Sequence, residues 1–425
     1  MEIIMALELV FECPSTLAKL RSAPLGNLLD SFCQRLLDRG FSRRTTQCHL
    51  GYLCHLNEHL RRPRSQMRQT VAATEIEAFF DKYARRCHNR GPLEKHLRRA
   101  QHSVNRFADY LREEGRFVAT TSRAVYEPLL AGYLQWMGSY QHAAPGTCEV
   151  RARSLIRFLQ SLGQDATPRG LAKLDCEKVE QFVLAYASES GRSARRSMQS
   201  ALRTFFRFAW HEGYLRQPLD RAVPTLRTYK LATVPRGLTE QQTEQVLRGV
   251  DRNTEAGRRD YAILQLLSTY GVRAGQLCAL RLDEIDWAGG RILFTAAKRG
   301  KDVWVPITVE VGEAILDYLQ NGRPACSYLE IFLTAQAPYH PFPHSRTLSA
   351  IVQRRLCAAG VDLPRMGAHV FRHGFATRML RQGNGLKAIA DVLGHRHLST
   401  TFLYTKVDFI ALKQVALEWP QEVSK

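Results

Sequence analysis

The segment GAHVFRHGFATRMLRQGNGLKAIADVLGHRHLSTTFLYTK, residues 367–406, decides how the last third of this 425-residue chain folds. Its first part has the residue types of a helix, and it places His369 three positions before Arg372. Residues three apart lie on the same face of a helix. The spacing therefore predicts an imidazole and a guanidinium that point at one spot.

The second part of this segment adds two more polar side chains. An apolar helical pattern runs to Leu393, and Gly394 suits the left-handed turn that ends a helix. His395 follows immediately, and Tyr404 comes nine positions later. Between them, residues 399–401 form a Ser-Thr-Thr run of the kind that caps a new helix.

A second region, about a hundred residues upstream, carries two further basic residues. Residues 261–270 predict an apolar helix that Gly271 breaks, and Arg273 stands at the break, before a helical turn in residues 277–282. A hairpin is predicted next, and Lys298 lies in the loop that joins its two strands. The strands of this hairpin are residues 291–295 and 303–307.

These residue types suit transesterification of a phosphodiester, in which negative charge builds on the non-bridging oxygens of phosphorus. Arginine donates two hydrogen bonds to phosphate and stays charged at every relevant pH. Histidine adds a donor or moves a proton near neutral pH, and a lysine beside other cations can protonate a departing oxygen. A tyrosine that ionises beside these cations can attack phosphorus and form a covalent link.

These motifs resemble those of the tyrosine recombinases, the phage integrase family. The matching motifs, in chain order, are Tyr270-Gly271-Val272-Arg273, Lys298 followed by Val305-Pro306, His369-x-x-Arg372-His373, Leu393-Gly394-His395 and Tyr404-Thr405. The resemblance covers residues 238–407 and extends more weakly back to residue 122. Any one of these residues, taken by itself, is more often part of the core or of a solvated surface than of a functional site. All five segments occur in the order found in the family, and this favours a functional site.

The resemblance implies a role for each of six residues. Arg273, Arg372 and His395 would bind the scissile phosphate, Lys298 would be the general acid, His369 would assist as acid or base, and Tyr404 would form the 3′-phosphotyrosine. Lys301 lies in the same loop as Lys298, whose distance from the Val-Pro pair fits the family better. Gln276 stands where many relatives have an acidic residue, so the support of Arg273 is expected to differ.

The function implied is that of a site-specific DNA recombinase or integrase of mobile-element type. It would cut and rejoin strands through a 3′-phosphotyrosine, with neither a metal nor a high-energy cofactor. A type IB topoisomerase or a dimer resolvase would share this chemistry. An accessory DNA-binding protein descended from recombinases would keep the clamp for regulation only, but the complete set of six residues favours an enzyme.

The charge balance agrees with a nucleic-acid partner. The chain has 60 Lys plus Arg against 40 Asp plus Glu, a formal net charge of +20, and a sequence pI of about 9.8. Such an excess of positive charge indicates that the binding partner is a polyanion, and we expect double-stranded DNA. The sequence has no apolar run long enough to span a membrane and no basic start of a signal peptide. We therefore expect a cytoplasmic, nucleoid-associated bacterial protein.

A group of potential metal ligands lies near the N-terminus. Its members are Cys48, His49, Cys54, His55 and His59. Their spacing fits no common zinc module, and we expect an ordinary helix there. The ten cysteines of the chain include no Cys-x-x-Cys pair, which favours reduced thiols in the cytosol.

Two helical regions in the first half of the chain resemble each other. Residues 45–60 and 147–162 share an apolar stripe. Residues 98–115 and 196–213 share a basic start, two aromatic positions and a final Glu-Gly, at a constant offset of 98. This repetition predicts a duplicated helical module.

The predicted fold is mainly α-helical with a small β-sheet in the catalytic domain, an α+β fold. Residues 1–120 would form an extra helical module, residues 122–222 a core-binding helical domain, residues 223–237 a linker, and residues 238–425 the catalytic domain. The extra module either contacts DNA through basic residues such as Arg98 or only packs and adds stability.

The end of the chain is predicted to form a tail helix, because residues 409–419 are amphipathic. In relatives such a tail docks on a neighbouring protomer. Recombination of two duplexes needs four strand cuts, so the resemblance implies a homotetramer on DNA or a complex with related recombinases. The alternative is that the tail folds back onto its own domain.

Overall fold

The computed structural model describes residues 5–61, 67–87, 93–118, 124–225, 236–295, 302–395, 397, 400 and 401. The chain divides into two compact units. The first contains residues 1–71, 76–116 and 231–425, and the second contains residues 72–75 and 117–230. The first helical module is thus grouped with the catalytic part, and the three domains named above stay a prediction. The predicted tail and most of the predicted linker lie outside the described residues.

The first helical module is a bundle of helices. These are α1 Ala6–Val10, α2 Pro14–Arg21, α3 Gly26–Asp38, α4 Arg43–Leu60, α5 Ala73–Cys87 and α6 Leu93–Glu113. Two short strands, β1 Val71–Ala72 and β2 Phe117–Val118, form a two-stranded sheet, and most of their residues belong to the second unit. The predicted stripe on α4 is buried, and Leu53 and Leu56 are wholly inaccessible to solvent. Phe32 and Phe107 meet edge to face beside this stripe, with ring centroids 5.0 Å apart.

The second unit is built from α-helices around an aromatic core. Its helices are α7 Glu127–Ser139, α8 Pro145–Ser161, α9 Pro168–Leu171, α10 Cys176–Glu189 and α11 Arg192–His211. Helices α8 and α11 pack against each other, and Tyr133, Phe158, Phe205 and Phe208 are almost fully buried. The large rings account for much of the apolar area that the unit removes from water.

The last helix of each module ends in the same way. Gly115 after α6 has φ of +67°, and Gly213 after α11 has φ of +72°. In each case the amide of the next residue donates to the carbonyl five positions back, at 2.7 Å in the first and 2.8 Å in the second. Glycine adopts a positive φ without the strain that a Cβ imposes. The two helix ends that the offset of 98 residues relates therefore have the same backbone geometry.

The catalytic part combines helices with a three-stranded sheet. Its elements are α12 Glu240–Arg248, α13 Glu255–Tyr270, α14 Ala274–Ala279, β3 Ile285–Asp286, β4 Arg291–Phe294, β5 Val303–Pro306, α15 Val309–Asn321, α16 Ser345–Ala358, α17 His369–Arg381 and α18 Leu386–Val392. Helix α13 packs against α15, α16 and α17 and supplies much of the core. Among the described residues, none of the helices is long and apolar enough to cross a membrane.

Helix α13 begins earlier than its apolar pattern predicts. The side chain of Thr254 caps it by accepting from the amide of Gly257, and Gly271 ends it with φ of +59°. The helical turn predicted for residues 277–282 is wrong in one respect. Helix α14 stops at Ala279, and a separate 3₁₀ turn follows at residues 282–284.

The predicted hairpin is confirmed, with each strand one residue shorter than expected. Strands β3, β4 and β5 lie in that order and are antiparallel, and Ile292 pairs with Val305. Ile292 and Phe294 face the core, whereas Trp304 is exposed. This alternation fixes which side of β4 meets α13.

Candidate active site

The structure describes four of the six predicted site residues. Arg273 occupies the N-cap position of α14, His369 and Arg372 lie in the first turn of α17, and His395 follows α18. The left-handed Gly394, with φ of +62°, turns the chain from α18 towards the other three. Lys298 and Tyr404 lie outside the described residues.

Both arginines donate to the carbonyls at the end of α18. Arg372 Nη2 lies 2.7 Å from the Leu393 oxygen, and Arg273 Nη1 lies 3.4 Å from the same atom. Arg273 Nη2 also donates to the Gly394 carbonyl at 3.2 Å. Two positive side chains from distant parts of the sequence are therefore held on one backbone segment, next to His395.

Arg372 is the more deeply buried of the two guanidinium groups. Only 4% of the residue is exposed, and its Nη1 donates to the Gly271 carbonyl at 2.8 Å. Arg372 therefore links the end of α13 to the end of α18. A buried charge is tolerated only when hydrogen bonds replace its lost hydration, and these two carbonyls supply such bonds.

His395 is oriented by a threonine that follows it closely in sequence. Its Nδ1 lies 2.8 Å from the hydroxyl oxygen of Thr401, which is fully buried. Its backbone amide donates to the Ala390 carbonyl at 2.8 Å. A hydrogen bond at Nδ1 fixes the ring plane and leaves Nε2 as the atom directed elsewhere. Thr401 was predicted only as part of a helix cap, and its contact with His395 was missed.

The histidines of the site are held neutral by their surroundings. Burial, followed by the charges of Arg372 and Arg273, lowers the pKa of His395 to about 4. The same causes lower the pKa of His369. A bound anion would offset the two arginine charges, so the imidazoles would gain protons more readily when a phosphate occupies the site.

His373 extends this group of imidazoles. Its ring stacks on that of His369 with centroids 6.3 Å apart, and burial together with His369 and Arg372 lowers its pKa to about 4. The sequence motif includes His373, but no role was assigned to it. Its position four residues after His369 on a helix was the signal that could have found this stack.

Acidification is expected to destabilise the folded chain. His49, His373 and His395 have a pKa of about 4 when folded, against about 6.5 in an unfolded chain. Between these values the unfolded chain binds more protons, so the free energy of unfolding falls as the pH drops from about 6.5 to about 4. Urea titrations at about pH 7 and about pH 5 would measure the midpoints. Replacing His373 with glutamine should weaken the dependence of the midpoint on pH. A urea midpoint that is higher at about pH 5 than at about pH 7 would contradict this prediction.

Gln276, which the sequence linked to the support of Arg273, contacts two separate backbone segments. It is only 7% exposed, and it bridges the backbone of Arg273 to the end of strand β4. A Gln three positions after a helix N-cap is the pattern of a capping box, and this pattern could have found the first of its two contacts. The second contact depends on tertiary structure.

The potential metal ligands near the N-terminus all lie on α4, as expected for an ordinary helix. His49 is buried and its Nδ1 lies 2.9 Å from the hydroxyl of Ser103, whereas Cys48 is exposed. His55 and His59 contact the aromatic rings of Tyr83 and Phe79. Within the described part of the chain, no three metal-ligand side chains come together.

Comparison with known proteins places the catalytic part in a known family. Residues 236–410 match the Phage integrase family. A Sinorhizobium fredii (strain NBRC 101917 / NGR234) protein that carries the name integrase/recombinase y4rF is 30% identical over 421 residues, which cover 97% of this chain and 96% of that protein. A second protein of that strain, integrase/recombinase y4rA, is 39% identical over 273 residues, covering 64% of this chain and 66% of its own length.

Solved structures show that the fold is shared. The XerH site-specific recombinase bound to palindromic difH substrate has a TM-score of 0.53 and 16% identity, over 75% of this chain and 95% of that one. A lambda integrase dimer bound to a COC′ core site has a TM-score of 0.52 and 17% identity, over 70% of this chain and 99% of that one. Both likenesses confirm the predicted α+β class with a mainly helical composition.

Proposed function

We propose, from the premise that this chain belongs to the phage integrase family of tyrosine recombinases, that it is a site-specific DNA recombinase acting on a mobile element. The observation that carries the proposal is the convergence of Arg273 and Arg372 on the backbone beside His395. Two guanidinium groups and an imidazole held side by side supply the positive charge and the hydrogen-bond donors that bind a phosphodiester.

The reaction is a transesterification at phosphorus. The Tyr404 oxygen attacks the scissile phosphate, the bond from phosphorus to the 5′ oxygen breaks, and a 3′-phosphotyrosine forms. Lys298 gives a proton to the departing 5′ oxygen, while Arg273 and Arg372 stabilise the charge on the non-bridging oxygens. His395 donates to one of these oxygens, and His369 assists proton transfer. Attack of a 5′ hydroxyl on the phosphotyrosine then rejoins a strand, with the number of phosphoester bonds unchanged.

A basic groove in the second unit is suited to hold the DNA backbone. Four arginines line it on α8 and α11, together with Gln199, Ser200, Thr204 and Thr225. The arginines are Arg151, Arg196, Arg203 and Arg207. Arg151 donates to the hydroxyl of Thr204 at 2.6 Å, which fixes the position of its guanidinium group. We assign this groove to phosphate contacts that position the protein without reading sequence.

Two arginines of this groove have no counterpart in the first helical module. At the offset of 98 residues, Asn105 takes the place of Arg203 and Asp109 takes the place of Arg207. Asp109 is paired with Arg112 at 2.5 Å. These two changes remove two positive charges and add a negative one, which weakens the attraction of this face to phosphate. The loss favours the alternative in which the module packs, and Gly40 does approach the ring of Tyr339 in the catalytic part of the same unit.

Equivalent arginines of the two modules are expected to differ in their effect on DNA binding. Arg196 and Arg98 occupy the same position at the offset of 98, and both are exposed. Arg196→Ala should weaken binding to all DNA sequences alike and reduce the slope of log affinity against log salt by about 1, whereas Arg98→Ala should leave the slope unchanged. Fluorescence anisotropy over a salt series measures both. Equal losses in the two variants would show that the first module also contacts DNA.

The working assembly is a tetramer on DNA, because two duplexes must each be cut on both strands. Tail residues 409–419 would link each protomer to the next. Sedimentation of the protein with two-site DNA tests this assignment: four chains per complex are expected, and one or two chains under conditions that support recombination would contradict it.

The experiment that tests the function is capture of the covalent intermediate. The protein is incubated with fragments of its native flanking DNA, quenched with detergent, and the DNA that stays attached is sequenced. Adducts at one position are expected. Relaxation of supercoils without any site preference would indicate a type IB topoisomerase instead. Tight, salt-sensitive binding without adducts would indicate an accessory DNA-binding role.

A further inference from the structure

Gln276 makes two hydrogen bonds whose directions are fixed by their partners. Its Oε1 accepts from the backbone amide of Arg273 at 3.0 Å, and its Nε2 donates to the backbone carbonyl of Thr295 at 3.3 Å. A backbone amide can only donate and a carbonyl can only accept, so the orientation of the side-chain amide follows from these contacts. The residue is buried, which makes the loss of either partner costly.

The two partners of Gln276 belong to different parts of the catalytic machinery. Arg273 is the guanidinium that reaches the carbonyls of Leu393 and Gly394. Thr295 is the first residue after strand β4, and the chain continues from it to Lys298 in three residues. Each residue adds at most about 3.6 Å of reach, so the position of Thr295 limits where Lys298 can lie.

We propose that Gln276 is a positioning residue. Its side chain holds Thr295, from which the chain leads to Lys298, close to the backbone of Arg273, and this function requires a side-chain amide. This inference rests on the proposed function and assigns a residue that supports the leaving-group step. Both hydrogen bonds of the Gln276 side chain go to backbone atoms of this chain. It acts by fixing Thr295, and thereby the place from which the lysine approaches the 5′ oxygen.

The amide is required because of what faces each of its atoms. A glutamate at this position would keep the acceptor for the Arg273 amide, but its second oxygen would face the Thr295 carbonyl. An ionised carboxylate has no proton to donate there. Its second oxygen and the Thr295 carbonyl oxygen would repel each other in a buried place, and the end of β4 would be displaced. The acidic residue that many relatives carry therefore cannot make this second contact while ionised. The glutamine of this chain makes both contacts, with the Arg273 amide and with the Thr295 carbonyl.

Two variants separate the functions of the amide. Gln276→Glu keeps the cap on Arg273 and removes only the donor to Thr295, whereas Gln276→Met has a similar length and removes both bonds. Gln242 provides a matched control, since it occupies the same capping-box position on α12 and accepts from the amide of Thr239 at 3.1 Å, in a partly exposed place. Thermal unfolding of each variant establishes that it is folded.

The assay is single-turnover cleavage of a duplex that carries the core sequence recovered from the covalent adducts. A second duplex has sulfur in place of the 5′ oxygen at the scissile bond. A thiolate leaves without being protonated because a thiol has a far lower pKa than an alcohol. A defect in the delivery of the proton is therefore removed by the sulfur, whereas a defect in phosphate binding persists.

We expect Gln276→Glu to cleave the normal duplex about 100-fold more slowly than the unaltered chain, at the lower end of what a general acid contributes. On the sulfur-containing duplex, its rate should equal that of the unaltered chain. Gln242→Glu should be unaffected on both. A normal rate for Gln276→Glu on the oxygen duplex, or a defect that sulfur does not relieve, would overturn the inference while leaving the proposed function intact. Failure of the unaltered chain to cleave either duplex would overturn both.

Discussion

Replacing Tyr404 with phenylalanine is expected to abolish covalent attachment to DNA while the protein still binds its site. The phenolic oxygen is the atom that attacks phosphorus in the proposed reaction, and the rest of the ring contributes no nucleophile. Loss of a nucleophile commonly reduces the rate by about 10⁴-fold or more. Denaturing gel electrophoresis with end-labelled DNA measures the adduct, and anisotropy measures the binding that remains.

A second tyrosine serves as the control for this experiment. Tyr261 lies on α13 with its ring against the guanidinium of Arg252, 4.5 Å from the centroid. Tyr261→Phe removes a hydroxyl from the same part of the chain and should form adducts at the normal rate. If Tyr404→Phe still became linked to DNA, another residue would have to be the nucleophile.

Changing Arg372 to lysine is expected to reduce the rate of cleavage by about 10²- to 10³-fold. Lysine keeps the charge, but it lacks the planar fork that donates to two acceptors at once. Arg372→Ala should also lower the stability of the fold. It leaves the buried carbonyl of Gly271 without this donor, at a cost of about 1–3 kcal/mol in the free energy of unfolding. Single-turnover cleavage and urea titration measure the two effects separately.

Arg378 is the matched control because it lies on the same helix and makes the same type of bond. It donates to the Ser268 carbonyl at 2.8 Å, and its guanidinium lies 5.6 Å from the ring centroid of Phe375. Arg378→Lys should leave the cleavage rate close to normal. Comparable losses in the two lysine variants would mean that Arg372 acts mainly through stability, and its assigned role at the phosphate would be wrong.

The local part of the fold could be predicted from the sequence because it depends on neighbours in the chain. Gly271 and Gly394 both have the positive φ that their positions after apolar helices predict. His369 and Arg372 lie in the first turn of one helix, as their spacing indicates. The hairpin strands were predicted to within one residue, since their alternation of apolar and polar residues is a period-two signal.

The contacts that assemble the site could not be predicted, because they join residues far apart in sequence. Arg273 and Leu393 are 120 positions apart, and nothing in either segment indicates that one donates to the other. The bond from Gln276 to Thr295 likewise depends on how α14 packs beside β4. The four-arginine groove of the second unit was missed for the same reason, since its members come from two helices whose pairing only the tertiary structure shows.

The sharing of the Leu393 carbonyl by two arginines has a consequence for the local stability of the site. Arg273 and Arg372 both depend on the short stretch of backbone that ends α18. Local opening of that stretch would remove a hydrogen-bond acceptor from both guanidinium groups at once, because segments of a protein unfold as cooperative groups. Arg372 would keep its bond to the Gly271 carbonyl, whereas Arg273 would lose both of the carbonyls named above. The position of Arg273 therefore depends more on the folded end of α18 than the position of Arg372 does.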